Sequence, residues 1–431
     1  MRLGSLQGVE QSLNGVRAMA VNIRYFSCAQ QFTGTREDFL LAPLDMAAGR
    51  VRGETGVPGL KLDFCCGLRL EVPTAGWRVR ISDAETGLVF YDEVSEQAQR
   101  IVSLEKYYMP WLVEVYDENT LIYRHRFSPA GRKVHFVCNS AIGDTLAFLP
   151  YLPLYRQLYE AKLSVRVEPA LWETVHRFCP WLEFAELVPE DAYAVYYCIF
   201  MPEGAHILLP LDAREVPLWQ MGRILLGLAR ARTKMEWPAA ERRIAEPYVC
   251  IGVQASDVAK TWQYPGGWEE IVQGLRELGY RVLCIDRERE QSGHGLRACM
   301  PEGAEDFTGP HDLSERADML YHAEFFIGLS SGLAWLARTV GCPVVLIGGF
   351  SRPWHEFPEA YRVGNMHLCN GCCNDLRLNF KEGICQRQSR ASETFLQCSK
   401  KITPQMVWLA ITELLQDKSA EDMRKRGERK L

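Results

Sequence analysis

The sequence predicts an α/β chain with two Rossmann-like lobes, an N-terminal β-barrel domain ahead of them and a cysteine metal finger near the C-terminus. Three observations predict it. Short apolar runs alternate with helical stretches twice over, across residues 131–245 and again across 246–431. That alternation is the pattern of doubly wound parallel sheets. Residues 22–130 instead alternate apolar and polar side chains with a period of two, between Gly and Asp turns. Finally, five of the 15 cysteines fall between positions 369 and 398.

In the first region, Trp77-Arg-Val-Arg-Ile81, Trp111-Leu-Val-Glu-Val-Tyr116 and Leu121-Ile-Tyr-Arg-His-Arg-Phe127 each read as a strand. Gly67, Gly76, Gly87 and Asp117-Glu-Asn119 supply the turns. Strands this short fit a small barrel or sandwich, and a barrel over 22–130 is the expectation. No catalytic constellation falls there, so a docking or oligomerisation role is expected. Residues 1–21 are expected to be a flexible N-terminus.

The first lobe has apolar strands at 134–138, 163–167 and 192–197, with an apolar helix running through Phe148 after a turn at Gly143. The second lobe has strands at 248–253, 281–285, 325–328 and 343–347. Its helices cover 268–278, 317–321 and 331–340. The cysteine segment, 366–400, follows the last of these strands. A terminal helix covers 404–415, and the charged tail after Gln416 is expected to fray.

Composition narrows the function. The length suits two or three domains at roughly 100–200 residues each. Hydrophobic residues make up 47% and charged residues 24%, ordinary for a globular protein. A net charge of -5 and a pI of about 6.1 speak against non-specific nucleic-acid binding. No apolar run reaches the ~18–20 residues that span a bilayer, and the N-terminus lacks the order of a signal peptide. A cytoplasmic location is therefore expected, where thiols stay reduced and clustered cysteines bind metal more often than they form disulfides. Cys138, Cys198, Cys250 and Cys284 lie in apolar runs and read as small core residues.

Cys369 and Cys372 form a C-x2-C pair, and Asn370 and Gly371 between them suit a tight turn. Cys385 and Cys398 complete a tetrahedral set of four thiolates, which suits zinc or iron. Cys373 is a fifth candidate, but Cys372 gives the C-x2-C spacing. The segment between is polar and basic (Arg377, Lys381, Arg387, Arg390) and has no core of its own, so a metal would supply its stability. A loop of unpaired thiols is the other reading. Four thiolates leave no open position, so a structural site away from the chemistry is expected.

Candidate chemistry lies in three turns. In Asn139-Ser-Ala-Ile-Gly-Asp144, Gly143 permits a tight strand-to-helix turn. Asp144 then sits at or just before a helix N-terminus, either as a cap or as an acceptor of a hydroxyl proton. In Ser256-Asp-Val-Ala-Lys-Thr-Trp262, Lys260 can meet a phosphate and Thr261 can donate to it, or Lys260 is a solvated surface residue. In Gly328-Leu-Ser-Ser-Gly332, Ser330, Ser331 and Gly332 open a helix whose free amides favour a diphosphate. A serine there also caps the helix, and the two roles are compatible. Asp286 ends a strand and is a weaker candidate for a ribose or adenine contact; Asp312 is weaker still. No G-x-G-x-x-G, P-loop, H-E-x-x-H or G-x-S-x-G motif occurs. The residues thus describe a two-lobed enzyme that binds a phosphorylated nucleotide on one lobe and carries a carboxylate on the other.

Ser140-x-x-Gly143-Asp144 with Leu149-Pro150 resembles the acceptor-side loop of bacterial ADP-heptose glycosyltransferases of lipopolysaccharide type. Ser331-Gly332-Leu333 with Leu336-Ala337 resembles their D-T/S-G-x-x-H-x-A segment. The N-terminal β domain and the cysteine finger are not part of those enzymes. Together they resemble the bacterial autotransporter heptosyltransferases, over residues of about 20 to 415. The resemblance implies a GT-B fold and transfer of heptose from ADP-heptose to serine hydroxyls of an autotransporter adhesin, with inversion. It also implies ferric iron, one per subunit, on Cys369, Cys372, Cys385 and Cys398, with zinc as the alternative, and a homododecamer. Under it, residues 131–245 form the acceptor lobe and 246–431 the nucleotide-sugar lobe. Asp144 is the base, with Ser140, Gly143 and Thr145 beside it. Lys260 contacts the diphosphate; the residue reading adds Thr261, Ser330, Ser331 and Gly332 there and Asp286 at the nucleoside. Two departures stand out. Ser330 replaces an Asp, which removes support for a bridging divalent cation, and Trp335 replaces a His. Two rival readings are a non-catalytic nucleotide sensor and a transferase using a UDP- or GDP-sugar.

Overall fold

Strands covered on one face alternate in polarity, and strands covered on both are continuously apolar. Both kinds occur here. The computed structural model describes residues 22–26, 49–103, 109–138, 141–198, 213–228, 235–378 and 385–428. The expected flexible N-terminus lies outside these residues, as do Ser140 and positions 379–384 of the finger. The chain divides between Ser128 and Pro129 into two compact units.

The first unit contains strands β1 (Asn22–Phe26), β2 (Lys61–Cys65), β3 (Leu68–Val72), β4 (Trp77–Asp83), β5 (Val89–Val94), β6 (Gln99–Ser103), β7 (Trp111–Asp117) and β8 (Thr120–Arg126). β1, β6, β3 and β2 lie side by side in that order, and β5, β4, β7 and β8 form a second, antiparallel sheet. Among the described residues these strands do not close into the expected barrel. The edge strands of the second sheet carry charged side chains. β8 exposes much of its length, and on β5 Asp92 accepts from Arg78 of β4 at 2.6 and 2.7 Å. Charges turned outward on an edge oppose further pairing. The two sheets share an aromatic core instead, with the Phe26 ring 5.9 Å from both Tyr91 and Trp111. Opposite each other on β2 and β3, Asp63 and Arg69 form a buried bidentate pair at 2.6 and 2.7 Å. The Gly49 and Arg50 carbonyls and the Arg52 amide satisfy further valences, which offsets the desolvation of both charges.

The second unit opens with β9 (Lys133–Val137), α1 (Ile142–Phe148), α2 (Leu152–Tyr159), β10 (Lys162–Arg166), α3 (Trp172–Phe178), β11 (Glu183–Phe184), β12 (Ala192–Tyr197) and α4 (Leu218–Leu225). It continues with β13 (Tyr248–Ile251), α5 (Gly267–Glu277), β14 (Arg281–Cys284), β15 (Glu290–Gly293), β16 (Leu296–Cys299), β17 (Glu305–Asp306), α6 (Leu313–His322), β18 (Phe326–Leu329), α7 (Gly332–Thr339), β19 (Val344–Ile347), β20 (Tyr361–Val363), α8 (Gln397–Lys400) and α9 (Pro404–Glu428). In the first lobe the parallel order is β11-β10-β9-β12. In the second it is β17-β14-β13-β18-β19-β20, again parallel throughout. Counted from β13 and omitting the β15–β16 hairpin, that is the 3-2-1-4-5-6 order of a dinucleotide-binding sheet. Strand order reverses between β9 and β12 and between β13 and β18. Ligands bind beyond the carboxyl ends of strands at such switch points.

Three expectations change. β20 intervenes between the last expected strand and the cysteine segment, because three residues carry no readable period. A hairpin, β15–β16, turns at His294 and Gly295, both with positive φ, in a stretch too polar to read as strands. The terminal helix does not stop near Gln416 but continues to Glu428. Asp417 accepts the Tyr361 hydroxyl at 2.8 Å and the Lys418 ammonium meets Glu324 at 2.6 Å, and the sequence beyond is rich in strong helix formers.

Candidate active site

The two switch points deliver the chemistry. α1 follows β9 directly. Ala141 is its N-cap residue, so Asp144 does not cap the helix; it lies inside the first turn, where the helix dipole favours an anion. A side chain at Gly143 would bring its Cβ within 2.8 Å of Trp335 Cδ1 on α7. Glycine is therefore what lets α1 and α7 touch. Trp335 is buried, and its ring packs on Phe357 at 4.9 Å and 72°. It is a spacer between the two helices. Thr145 is buried on α1, and its hydroxyl has no partner among the described residues.

On the second lobe, Lys260 ends a short 3-10 turn after β13. Its ammonium donates to Ser256 Oγ at 2.9 Å and sits 5.1 Å from the centre of the Phe350 ring. Lys260 acts electrostatically on Asp144. Burial pushes the Asp144 carboxyl up to about 7, and the Lys260 charge pulls it the other way. A carboxylate that exchanges its proton near neutrality is suited to general-base work. Ser331 is the N-cap residue of α7, yet its hydroxyl makes no capping bond and has no partner among the described residues. Gly332 opens the helix.

Three expected ligand contacts are spent inside the protein. Thr261 is buried and donates to the Val258 carbonyl at 2.6 Å, closing its own turn. Asp286 is buried and accepts the amides of Val253 at 2.7 Å and Gln254 at 3.3 Å. It pins the chain leaving β13 to the end of β14, and burial raises it to about 6 despite those amides. Ser330 donates to Glu356 Oε1 at 2.5 Å. Of the side chains expected at the diphosphate, only Ser331 keeps a hydroxyl without a partner among the described residues.

Glu356 was not visible as a site residue in the sequence. It is buried, and it also accepts from Ser351 Oγ and from the Arg362 guanidinium. Its neighbour His355 accepts from the Asn374 amide, with the two nitrogens 3.0 Å apart, and lies 3.8 Å from Cys373 Sγ. Burial holds His355 below its ordinary value, so the ring is neutral at pH 7. The Gly348-Gly349 pair directly after β19 was the available signal, since paired glycines beyond a strand mark close backbone approach.

Cys369, Cys372, Cys385 and Cys398 line one cavity of about 20 Å³, the size of a single small occupant. Cys373 points elsewhere, towards His355, Lys260 and Asp144, and burial pushes its thiol up to about 12. Burial and the neighbouring sulfurs raise Cys372 to about 11 and Cys398 to about 12, while Arg387 draws Cys372 back down. Arg387 also lies 3.5 Å from Cys369 Sγ. No group of three or more His, Cys, Asp or Glu side chains stands in metal-binding arrangement among the described residues. The four thiols line one cavity. Their chemistry and convergence nevertheless suit a tetrathiolate ion. Phe350 lines the same cavity, so the cluster adjoins the ring that carries Lys260.

Comparison with known proteins identifies the family. The family model described as the N-terminal domain of glycosyltransferase TibC matches residues 56–119. The model of glycosyltransferase family 9 (heptosyltransferase) matches 220–380. The autotransporter heptosyltransferase BAHTCr of Citrobacter rodentium is 34% identical over 390 residues, covering 87% of this chain and 93% of the relative. The autotransporter heptosyltransferase TibC of Escherichia coli O78:H11 is 32% identical over 409 residues, covering 91% and 98%. A crystal structure of TibC, described as a dodecameric iron-containing heptosyltransferase in complex with ADP-D-β-D-heptose, superposes with a TM-score of 0.79 over 86% of this chain and 99% of that one, at 31% identity. BimC of Burkholderia thailandensis, 30% identical over 362 residues (82% of this chain, 85% of the relative), is named an inactive autotransporter heptosyltransferase. Across nearly its whole length, this chain belongs to the autotransporter heptosyltransferase family, with the GT-B-like heptosyltransferase fold and an N-terminal β-rich domain.

Proposed function

We propose that this protein moves heptose from ADP-heptose to serine hydroxyls of an autotransporter adhesin, with inversion and with Asp144 as the base. The observation that carries the reading is the Asp144 carboxyl, raised to about 7 at the switch point of one lobe and within the field of Lys260 from the other. The serine oxygen attacks the anomeric carbon as Asp144 takes its proton. The bond from that carbon to the diphosphate oxygen breaks, and the electron pair leaves with ADP. A single displacement of this kind inverts the centre. Lys260, the Ser331 hydroxyl and the amides opening α7 face the charge that grows on the diphosphate. Gly143 and Thr145 shape the acceptor side; Ser140, also expected there, lies outside the described residues. The domain plan is part of the same proposal: a β domain over 22–130, an acceptor lobe over 131–245 and a donor lobe over 246–431.

Cys369, Cys372, Cys385 and Cys398 hold one ferric iron, which cross-links a segment that lacks a core of its own. The protein works in the cytoplasm as a homododecamer. No helix among the described residues is long and apolar enough to cross a membrane.

The test is intact mass of an autotransporter passenger co-expressed with this protein in a host making ADP-heptose. A ladder of heptose-sized increments that vanishes with Asp144→Ala supports the transferase. The inactive relative gives specific weight to a second reading, a nucleotide-binding protein without turnover. Tight ADP binding with no increments favours that reading.

A further inference from the structure

The cysteine cluster and the donor lysine share a wall. Phe350 lines the cavity between Cys369, Cys372, Cys385 and Cys398, and its ring also carries the Lys260 ammonium at 5.1 Å. The loop bearing Phe350 is fixed to the cluster on both sides. A Cβ at Gly349 would meet the Cys398 carbonyl at 2.5 Å, so the two backbones are in direct contact. The Gly371 amide donates to Gly349 O at 2.8 Å, and the Cys373 amide to Phe350 O at 2.9 Å. A second route runs through the residue after Cys398. Ser399 Oγ donates to the Thr261 carbonyl at 2.7 Å and accepts the Gln263 amide at 2.8 Å, which holds the segment just beyond Lys260.

We infer that Phe350 is a positioning residue through which the cysteine cluster sets the place of Lys260, and hence the affinity for a nucleoside diphosphate. The inference rests on the proposed role of Lys260 at the donor diphosphate. A flexible lysine is expensive to immobilise, because it loses much of its rotamer freedom. A ring beneath its ammonium and a clamped backbone restrict it before the ligand arrives. Disorder among the thiols would therefore reach the donor site through the Phe350 ring as well as through the Ser399 contacts.

The experiment is calorimetric titration of the full-length protein with ADP, as a double-mutant cycle. Phe350→Leu should weaken ADP binding about 2- to 5-fold, the range of a partly exposed cation–π contact. Cys398→Ser should do likewise. Neither change should weaken binding further when Lys260→Ala is already present. Phe350→Trp, which keeps a ring face, should stay within about twofold of the parent. An undiminished affinity in Phe350→Leu overturns the coupling, as does a loss of equal size in both Lys260 backgrounds. If Lys260→Ala leaves ADP affinity intact, the diphosphate role of Lys260 itself falls, a separate failure from the first.

Discussion

Replacing Asp144 with Asn keeps the shape of the side chain and removes its ability to take a proton. A positioned base contributes about 10²–10⁴-fold to a proton transfer, so turnover should fall by that factor while ADP affinity holds. The parent enzyme should lose kcat/KM as pH falls below about 7, because protonation removes the base. Lys260→Ala deletes the charge that favours the carboxylate, so its acid limb should move to higher pH. Stability moves the opposite way to activity. In the unfolded chain Asp144 ionises near 3.9, about three pH units below its folded value. Between these values the unfolded chain gives up a proton that the folded protein keeps, so stability falls as pH rises through the window. The whole move is worth at most about 4 kcal/mol. Asp144→Asn should therefore melt higher than the parent at pH 8, with a smaller gain at pH 5. Thermal unfolding at both pH values, with rates on a purified passenger, tests this. A variant no more stable than the parent at pH 8, or one retaining more than a tenth of its turnover, refutes the reasoning.

Other outcomes follow from particular contacts. Cys372→Ser should lower bound metal per chain, read by elemental analysis, whereas Cys373→Ser should leave it unchanged, because only Cys372 lines the thiol cavity. Asp286→Ala orphans two amides and should cost about 1–3 kcal/mol for the buried one, seen in denaturant unfolding. Gly143→Ala presses a methyl against Trp335 and should cost about 1–3 kcal/mol in stability, with a drop in turnover as α1 shifts. Arg177 of α3 grips Asp318 of α6 at 2.7 and 3.0 Å and stacks on Trp237 at 4.1 Å. Arg177→Ala should lower stability by about 1–3 kcal/mol, less than the cost of breaking a fully buried pair, because the groups keep some solvent contact. An unchanged unfolding midpoint would deny that contact a role in joining the lobes.

The sequence by itself determined the two α/β lobes and most of their strands, because continuous apolar runs such as Tyr248-Val-Cys-Ile251 and Val344-Val-Leu-Ile347 have few other places to go. It also marked Asp144, Lys260 and Ser331, since each stands just beyond such a strand. Tertiary structure decided which polar side chains remain available to a ligand. Thr261, Asp286 and Ser330 carry the right chemistry, but Val258, the amides after β13 and Glu356 already occupy them. Those partners lie 3 to 33 residues away and have no periodic signature. The same holds for Cys372 and Cys373. They are adjacent in sequence, and only the turn opened by the positive φ of Gly371 sends one thiol into the cluster and the other towards Asp144 and Lys260. Periodicity reports which face of an element is buried; hydrogen-bond partners depend on contacts between distant segments, which only the folded chain creates.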